Sequence, residues 1–535
     1  MKKLCKIGIC CMMAVISMAL FSCSKKDDIK DIVIDRPDGD DTDDCYTDPN
    51  FYAGFFAYNV MNDVYLWKEE ISASLKTWKV NEDPIEKVNQ LRYKDASGKE
   101  VDKWTMLTND YESFTSSVSG VTTTYGYDFQ LYYKDDTKKA LVAVITYTYP
   151  DSPARNAGLK RGDAIFTVNG KEITVDNYAD LLLYSSAADF EVLNDKRDGF
   201  DKLSMTAVNM YLNPVLVSKI FESDGKKVGY LVYTSFTLES CAELIEVCKN
   251  FKKEGVKELI LDLRYNGGGY VITENLLASM LAPAEVVKNK EVFETEIWNK
   301  DYMDYYAKQG KDLKTRFQTT FKFTDLEGKK HDYSTADANI GLDRIIALVT
   351  RNTASASESV LVGLKPYMNI QVVGEQTHGK YCTGWMKEAT QWFNEIDDNL
   401  KKENTSFVKE YPEYAKWETY AKNWGIYVMI SRYADRDGYN PCMPDGMLPD
   451  VELKENPQQP YELGDDREIL LRQALIEAGI TDLTPLPESS RTWNDSSYEL
   501  YKHVSLHPLD GMRIRFDDHT TYLSSRSALC VSILE

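Results

Sequence analysis

Leu259-Ile260-Leu261-Asp262-Leu263-Arg264-Tyr265-Asn266-Gly267-Gly268-Gly269 is an apolar run that ends in a glycine-rich turn. Its Leu and Ile residues do not alternate with polar ones, the pattern of a strand covered on both faces. The surrounding chain repeats the theme. Val228–Val232 reads as a strand, Leu238–Lys252 as a helix, Arg344–Val349 as a strand, then a helix from about Ala356 and the strand Ile370–Val373. Strands joined through helical crossovers predict an α/β core with parallel pairing.

Two further segments carry chemistry. One is Val349-Thr350-Arg351-Asn352-Thr353-Ala354-Ser355-Ala356-Ser357-Glu358, and the other Val372-Val373-Gly374-Glu375-Gln376-Thr377-His378-Gly379-Lys380. With the glycine turn, these resemble the S41 family of C-terminal processing (tail-specific) serine proteases, whose motifs are DLRxNxGG, TASASE and VGxxTxGK. The resemblance covers about half of the chain and keeps the motif order. It implies a ClpP/crotonase-like α/β core, serine endopeptidase activity and no cofactor. It also implies Ser355 as nucleophile and Lys380, 25 residues on, as general base. A serine hydroxyl needs an adjacent base, and a lysine serves only when burial favours its neutral form. Ala356 at a helix start and Gly268 in the glycine turn are the implied oxyanion donors, with Gly267 or Gly269 as alternatives to Gly268.

Plainer roles exist for the same residues. Ser355, Ser357 and Ser359 also suit a tight strand-to-helix junction, one of them capping the helix. Asp262 and Arg264 read as structural ion-pair partners, and His378 as a turn residue. Two positions depart from the family. Pro366 stands where many members carry an acid, and Gly384 where many carry a Gln that orients the lysine. Thr383, Glu375 or Gln391 are the candidate substitutes. An inert adaptor that binds polypeptide C-termini is therefore the alternative reading. A glycan-binding surface lipoprotein is a third, resting only on the leader and on exposed aromatics.

Upstream, Ser152-Pro153-Ala154, Ala157-Gly158-Leu159-Lys160-Arg161-Gly162-Asp163-Ala164-Ile165 and Val168-Asn169-Gly170 predict a short helix, a turn, and a strand leading into a hairpin. In this order they resemble a PDZ domain of the bacterial protease type. Such domains hold polypeptide C-termini by adding a strand to a sheet edge. The resemblance implies a carboxylate-binding loop near Gly126, Tyr127 and Phe129. Downstream, Gly438–Val451 resembles the closing segment of the S41 family and is assigned structural work. Aromatic residues between Glu285 and Asn339 and between Glu388 and Lys422 are read mainly as packing.

The chain of 535 residues has 63 Lys+Arg against 84 Asp+Glu, a formal charge of −21. An acidic surface repels phosphate backbones, so nucleic acid is not an expected partner. Five His and no CxxC pair give no basis for a metal site. Met1–Cys23 has a lysine-bearing start, a short apolar run and Leu20-Phe21-Ser22-Cys23, which resembles a lipobox. Ser24-Lys25-Lys26-Asp27-Asp28 resembles the export signal of surface lipoproteins of Bacteroidetes. These features predict lipidation at Cys23, a membrane anchor, and an outer-membrane lipoprotein on its periplasmic or cell-surface face. Of the six cysteines in the mature body, Cys241 and Cys248 lie roughly 10 Å apart along a helix, beyond disulfide reach of about 7 Å. Cys382 and Cys442 are a candidate bridge. The expected organisation is a leader (1–22), an acidic tether (23–50) and a helical N-terminal domain (51–115). A PDZ domain (116–205), the peptidase core (206–485) and a tail without readable features (486–535) follow.

Overall fold

The computed structural model describes residues 48–515 apart from 79–81, 119, 195, 197, 326–327, 403–415, 457–460, 487–498 and 505–510. The leader, Cys23, most of the acidic tether, Cys45 and Cys530 lie outside the described residues, as do Tyr411 and Tyr414. Among the described residues, no helix is long and apolar enough to cross a membrane.

Helix α1, Pro49–Val64, starts on proline behind Asp48, whose carboxylate accepts the Asn50 N–H at 2.9 Å. It is buried almost all round, with Phe51, Tyr52, Phe55, Phe56, Val60 and Met61 inside. These side chains share one continuous apolar cluster with the α/β core, including Leu244, Leu276 and Val360. The strand Met106–Thr108 also pairs with Gly425–Ala434 of the core. The described residues of 51–115 are thus mainly helical, and their buried side chains belong to the core they share with the α/β unit rather than to one of their own.

The next unit is an antiparallel sheet of β1 (Tyr127–Tyr133), β2 (Leu141–Thr148), β3 (Ala164–Val168), β4 (Ala187–Leu193) and β5 (Phe200–Thr206), in that spatial order. Between β2 and β3, Ser152 caps the short helix Pro153–Asn156 and Gly158 ends it at φ +90°. Asn169 and Gly170 both take positive φ, the hairpin turn that their sequence predicts. Phe129, Leu131, Ile145, Ile165 and Phe190 fill a core distinct from that of α1.

The α/β core follows. The hairpin of β6 (Val215–Ser223) and β7 (Lys226–Tyr233) leads through α2 (Cys241–Lys253) to β8 (Glu258–Asp262), which pairs parallel with β7. After β9 (Gly269–Tyr270) and α3 (Val271–Leu281), the chain makes β10 (Val292–Trp298) and β11 (Lys314–Arg316). Strand β12 (Arg344–Val349) then takes the other side of β8, before α4 (Ala356–Leu364) and β13 (Asn369–Gly374). Leu259 and Leu261 pack on α2, α3 and α4, while Ile260 joins the opposite cluster with Leu470 and Leu471 of α5 (Ile469–Glu477). Both faces of β8 are covered, which is why its sequence shows no alternation.

A second sheet packs behind the helices, in the order β9, β18 (Arg513–Ile514), β14 (Cys382–Glu388), β15 (Gly425–Ala434), β10 and β11. The first sheet closes on β16 (Val451–Glu452), which pairs with β13. The residues expected to be featureless hold two strands: β17 (Leu500–Val504), on the free edge of β1, and β18 inside the second sheet. In the two insertions, Trp298 stacks on Tyr302, Trp417 on Phe393 and Tyr420 on Tyr52, so these aromatics pack.

Candidate active site

Ser355 stands between β12 and α4 with φ +67° and ψ −117°, a conformation that a side-chain-bearing residue rarely adopts. Glu358 holds this strained junction. Its carboxylate accepts the Ser355 N–H at 2.8 Å, the Thr377 hydroxyl at 2.5 Å, and the N–H groups of Gly379 and Lys380 at 2.7 and 2.9 Å. One buried acid therefore fastens the Ser355 segment to the Lys380 segment. Tyr433 on β15 repeats the tie, its hydroxyl bonding the carbonyls of both Ser355 (3.2 Å) and Lys380 (3.0 Å). Burial pushes the Glu358 carboxyl above its usual range, against the pull of its four donors.

Lys380 is fully buried, and burial lowers its amine to a pKa of about 7. Its Nζ donates to the Tyr427 hydroxyl at 3.0 Å and to the Gly511 carbonyl, and lies 5.3 Å from the Trp104 ring centroid. The Ser355 Oγ is buried and makes no hydrogen bond among the described residues. Glu358 thus ties the Ser355 and Lys380 segments together, with the lysine amine turned toward Tyr427 and Gly511.

Ala356 opens α4, so its N–H belongs to the first turn, which helical bonding leaves free. Gly268 lies against Ser355: a Cβ on it would stand 2.7 Å from Ser355 Cβ and 3.0 Å from Oγ. Its N–H, however, donates to Asn266 Oδ1 at 2.9 Å, so in this conformation it is not directed at a substrate carbonyl. The neighbouring Gly269 N–H takes that role toward the chain itself, donating to the Met512 carbonyl at 2.7 Å. Gly268 contributes close approach, and the side-chain acceptor two residues before it captures its N–H.

None of Thr383, Glu375 and Gln391 replaces the missing glutamine. Gln391 bonds Glu395, and the Thr383 hydroxyl accepts from Arg513. Glu375 makes its main-chain bond to Val349. Tyr427 contacts the lysine instead, and Gly384 makes room for it, since a Cβ there would sit 2.4 Å from the Tyr427 ring. Pro366 lies just past the end of α4. His378 is exposed, its N–H held by the Thr353 carbonyl at 2.9 Å, as in a turn. Cys382 and Cys442 are both buried free thiols and form no bridge. Their surroundings differ, with Asp102 and Lys380 near one and Glu358 near the other. The closing segment braces the lysine turn: a Cβ on Gly446 would meet the Thr377 carbonyl at 2.0 Å.

Sequence reading missed Tyr427, Tyr433, Arg513 and the role of Glu358. Glu358 had a legible signal, the Ser-x-x-Glu spacing of a capping box. The others reach the site only through strand pairing in the second sheet.

In the upstream unit, Gly126 takes φ +76°, and a Cβ there would strike Ser152 at 2.4 Å, so the position needs glycine on both counts. Tyr127 and Phe129 are buried in the core of that unit, which Val504 of β17 joins. The β1 edge beside them is paired with β17.

Residues 227–453 match the model of peptidase family S41, and residues 144–190 match that of the PDZ domain. A carboxyl-terminal-processing protease of Picosynechococcus sp. is 26% identical over 275 residues, covering 50% of this chain and 57% of the relative. A "Probable CtpA-like serine protease" of Staphylococcus aureus strain N315 is 28% identical over 279 residues, covering 50% and 46%. The chain thus spans about half the length of the curated relatives it matches. A crystal structure described as a "Putative S41 protease from Bacteroides fragilis NCTC 9343" superposes with a TM-score of 0.57 at 23% identity, covering 80% of this chain and 97% of the other. At that identity the likeness concerns the fold.

Proposed function

The chain belongs, over residues 227–453, to peptidase family S41, and from this premise we propose that it is a serine endopeptidase cutting unfolded or tail-exposed polypeptides. The observation that carries this reading is that Glu358 ties the strained Ser355 junction, whose hydroxyl is buried and unbonded, to the segment of the buried Lys380, whose amine burial lowers to a pKa of about 7. Neutral Lys380 takes the Ser355 proton as Oγ attacks the peptide carbonyl, and returns it to the leaving amine. The Ala356 N–H receives the oxyanion, with the Gly269 N–H, which here holds the Met512 carbonyl, as the second donor.

The PDZ unit is proposed to bring substrates in through their C-termini, adding a strand at the β1 edge. Met1–Cys23 supports a lipid anchor at Cys23 and an outer-membrane location, which metabolic labelling with an alkynyl fatty acid and Cys23→Ala would check.

Ser355→Ala and Lys380→Ala should each lower cleavage of unfolded casein by at least about 10³-fold, with thermal unfolding unchanged. Residual wild-type cleavage in purified Ser355→Ala would sink the assignment. No turnover by wild type across varied unfolded substrates would leave the adaptor reading.

A further inference from the structure

The segment Gly511–Arg515 runs through the site as an extended peptide. The Gly511 N–H donates to the Gly267 carbonyl at 2.9 Å, and the Met512 carbonyl accepts from Gly269 at 2.7 Å. Arg513–Ile514 pairs parallel with Gly269–Tyr270, and Ile514 also stands opposite Gly384 on β14. The Gly511 carbonyl faces the Lys380 amine. Tyr427 grips the next backbone unit, its hydroxyl accepting the Arg513 N–H and donating to the Arg513 carbonyl, both at 3.1 Å. All these contacts use main-chain atoms of the segment, the way a strand is held whatever its sequence.

One side chain is read specifically. The Arg513 guanidinium is fully buried, and Nε and Nη2 form a fork on Glu274 with both bonds at 2.9 Å. Nη2 also reaches Glu294 and, at 3.2 Å, the Ser359 hydroxyl; Nη1 donates to Thr383. The Tyr433 ring lies 4.3 Å away. Ser359 in turn donates to Glu274 at 2.6 Å and to Glu294 at 3.1 Å. Two carboxylates buried this close are costly without a cation between them. Burial pushes the Glu274 carboxyl up to about 7 even with Arg513 present. The planar fork suits a guanidinium and not a lysine ammonium.

We propose that Glu274 and Glu294, with Ser359 and Thr383, form a specificity subsite for arginine. The side chain it takes belongs to an extended peptide, two residues beyond the carbonyl that faces Lys380. The chain's own Gly511–Arg515 fills this subsite as a substrate mimic. Leu500–Val504 supports the same picture from the other side of residues 505–510. It lies antiparallel on β1, with Val504 opposite Phe129, on the edge where a PDZ ligand adds. The chain thereby occupies both places that an incoming polypeptide needs. That the occupant stands in for a substrate rests on the peptidase reading; the arginine site itself does not.

The test measures binding, so it needs no turnover. The probe is a fluorescein-labelled, amidated peptide of residues 509–516, Leu-Asp-Gly-Met-Arg-Ile-Arg-Phe. A control peptide carries norleucine in place of its first arginine. Anisotropy is read on full-length Ser355→Ala protein with Arg513 intact and with Arg513→Gln. The arginine peptide should bind the Arg513→Gln protein at least tenfold tighter than the protein with Arg513 intact. The norleucine peptide should lose at least tenfold. Equal binding of the two peptides, or no binding to a folded Arg513→Gln protein, overturns the subsite. If Arg513→Gln does not fold, Arg513→Lys keeps the charge without the fork and is read by the same two outcomes. Arginine-dependent binding without hydrolysis by wild type would count against the peptidase reading alone. Hydrolysis with arginine-independent binding would count against the subsite alone.

Discussion

At the scale of single residues, the proposed reaction turns on Lys380 and Tyr427. A lysine with a pKa of about 7 is half deprotonated near neutrality, so turnover should rise with pH through about 7 and level off above it. The sign follows from the role, since only the neutral amine takes a proton. The Tyr427 oxygen accepts from Nζ and so favours the ammonium form. Tyr427→Phe should therefore move the rising limb of the kcat profile to lower pH and reduce its plateau by about tenfold. An unmoved limb would show that Tyr427 only packs. Ser355 and Lys380 stand out as candidates in the sequence because their motifs are local and their spacing is fixed. Tyr427 does not: it meets Lys380 from a different strand, past a bulge at Thr383–Gly384. The glycine that seemed to have lost a partner had made space for one.

At the scale of elements, the strand-to-glycine turn after β8 was read correctly as a buried strand and a close approach. Which glycine does what was not readable. Gly268 has φ +120°, and an added Cβ would meet the Met512 carbonyl at 2.4 Å and Ser355 at 2.7 Å. Gly268→Ala should lose at least about 100-fold in kcat/KM while costing stability about 1–3 kcal/mol, measured by casein cleavage and by denaturant unfolding. Retained activity would mean that the turn moves away from Ser355 during catalysis. The two strands β17 and β18 escaped the sequence reading for a related reason. Short strands on pre-existing edges draw their stability from the partner strand's free N–H and C=O groups, so little in their own sequence marks them.

At the scale of the whole molecule, an ion network joins the PDZ unit to the peptidase core. Arg264, buried at the end of β8, forks onto Asp262 and Glu468, and Glu455 bridges it to Arg161 of the AGLKRGD turn. Removing one member leaves buried carboxylates unpaired, so Arg264→Gln should destabilise by about 3–5 kcal/mol. Glu468 is held down to about 2 in the fold against an ordinary 4.5, despite its burial, by the two arginines. Its contribution is thus complete above about pH 4.5 and is lost as pH falls toward 2. The deficit of Arg264→Gln in thermal melts should shrink between pH 6 and pH 3; an equal deficit at both would exclude the network as its cause. Local sequence was enough to specify the parallel core and the PDZ unit and to single out Ser355 and Lys380 as the candidate nucleophile and base, because contiguous residues carry each of those signals. Tertiary structure was needed to show that the N-terminal helices share the core, that Tyr427 supports the lysine, and that Arg513 lies in an acidic pocket beside it. Those depend on residues far apart in the chain meeting through strand register and burial, which no local pattern encodes.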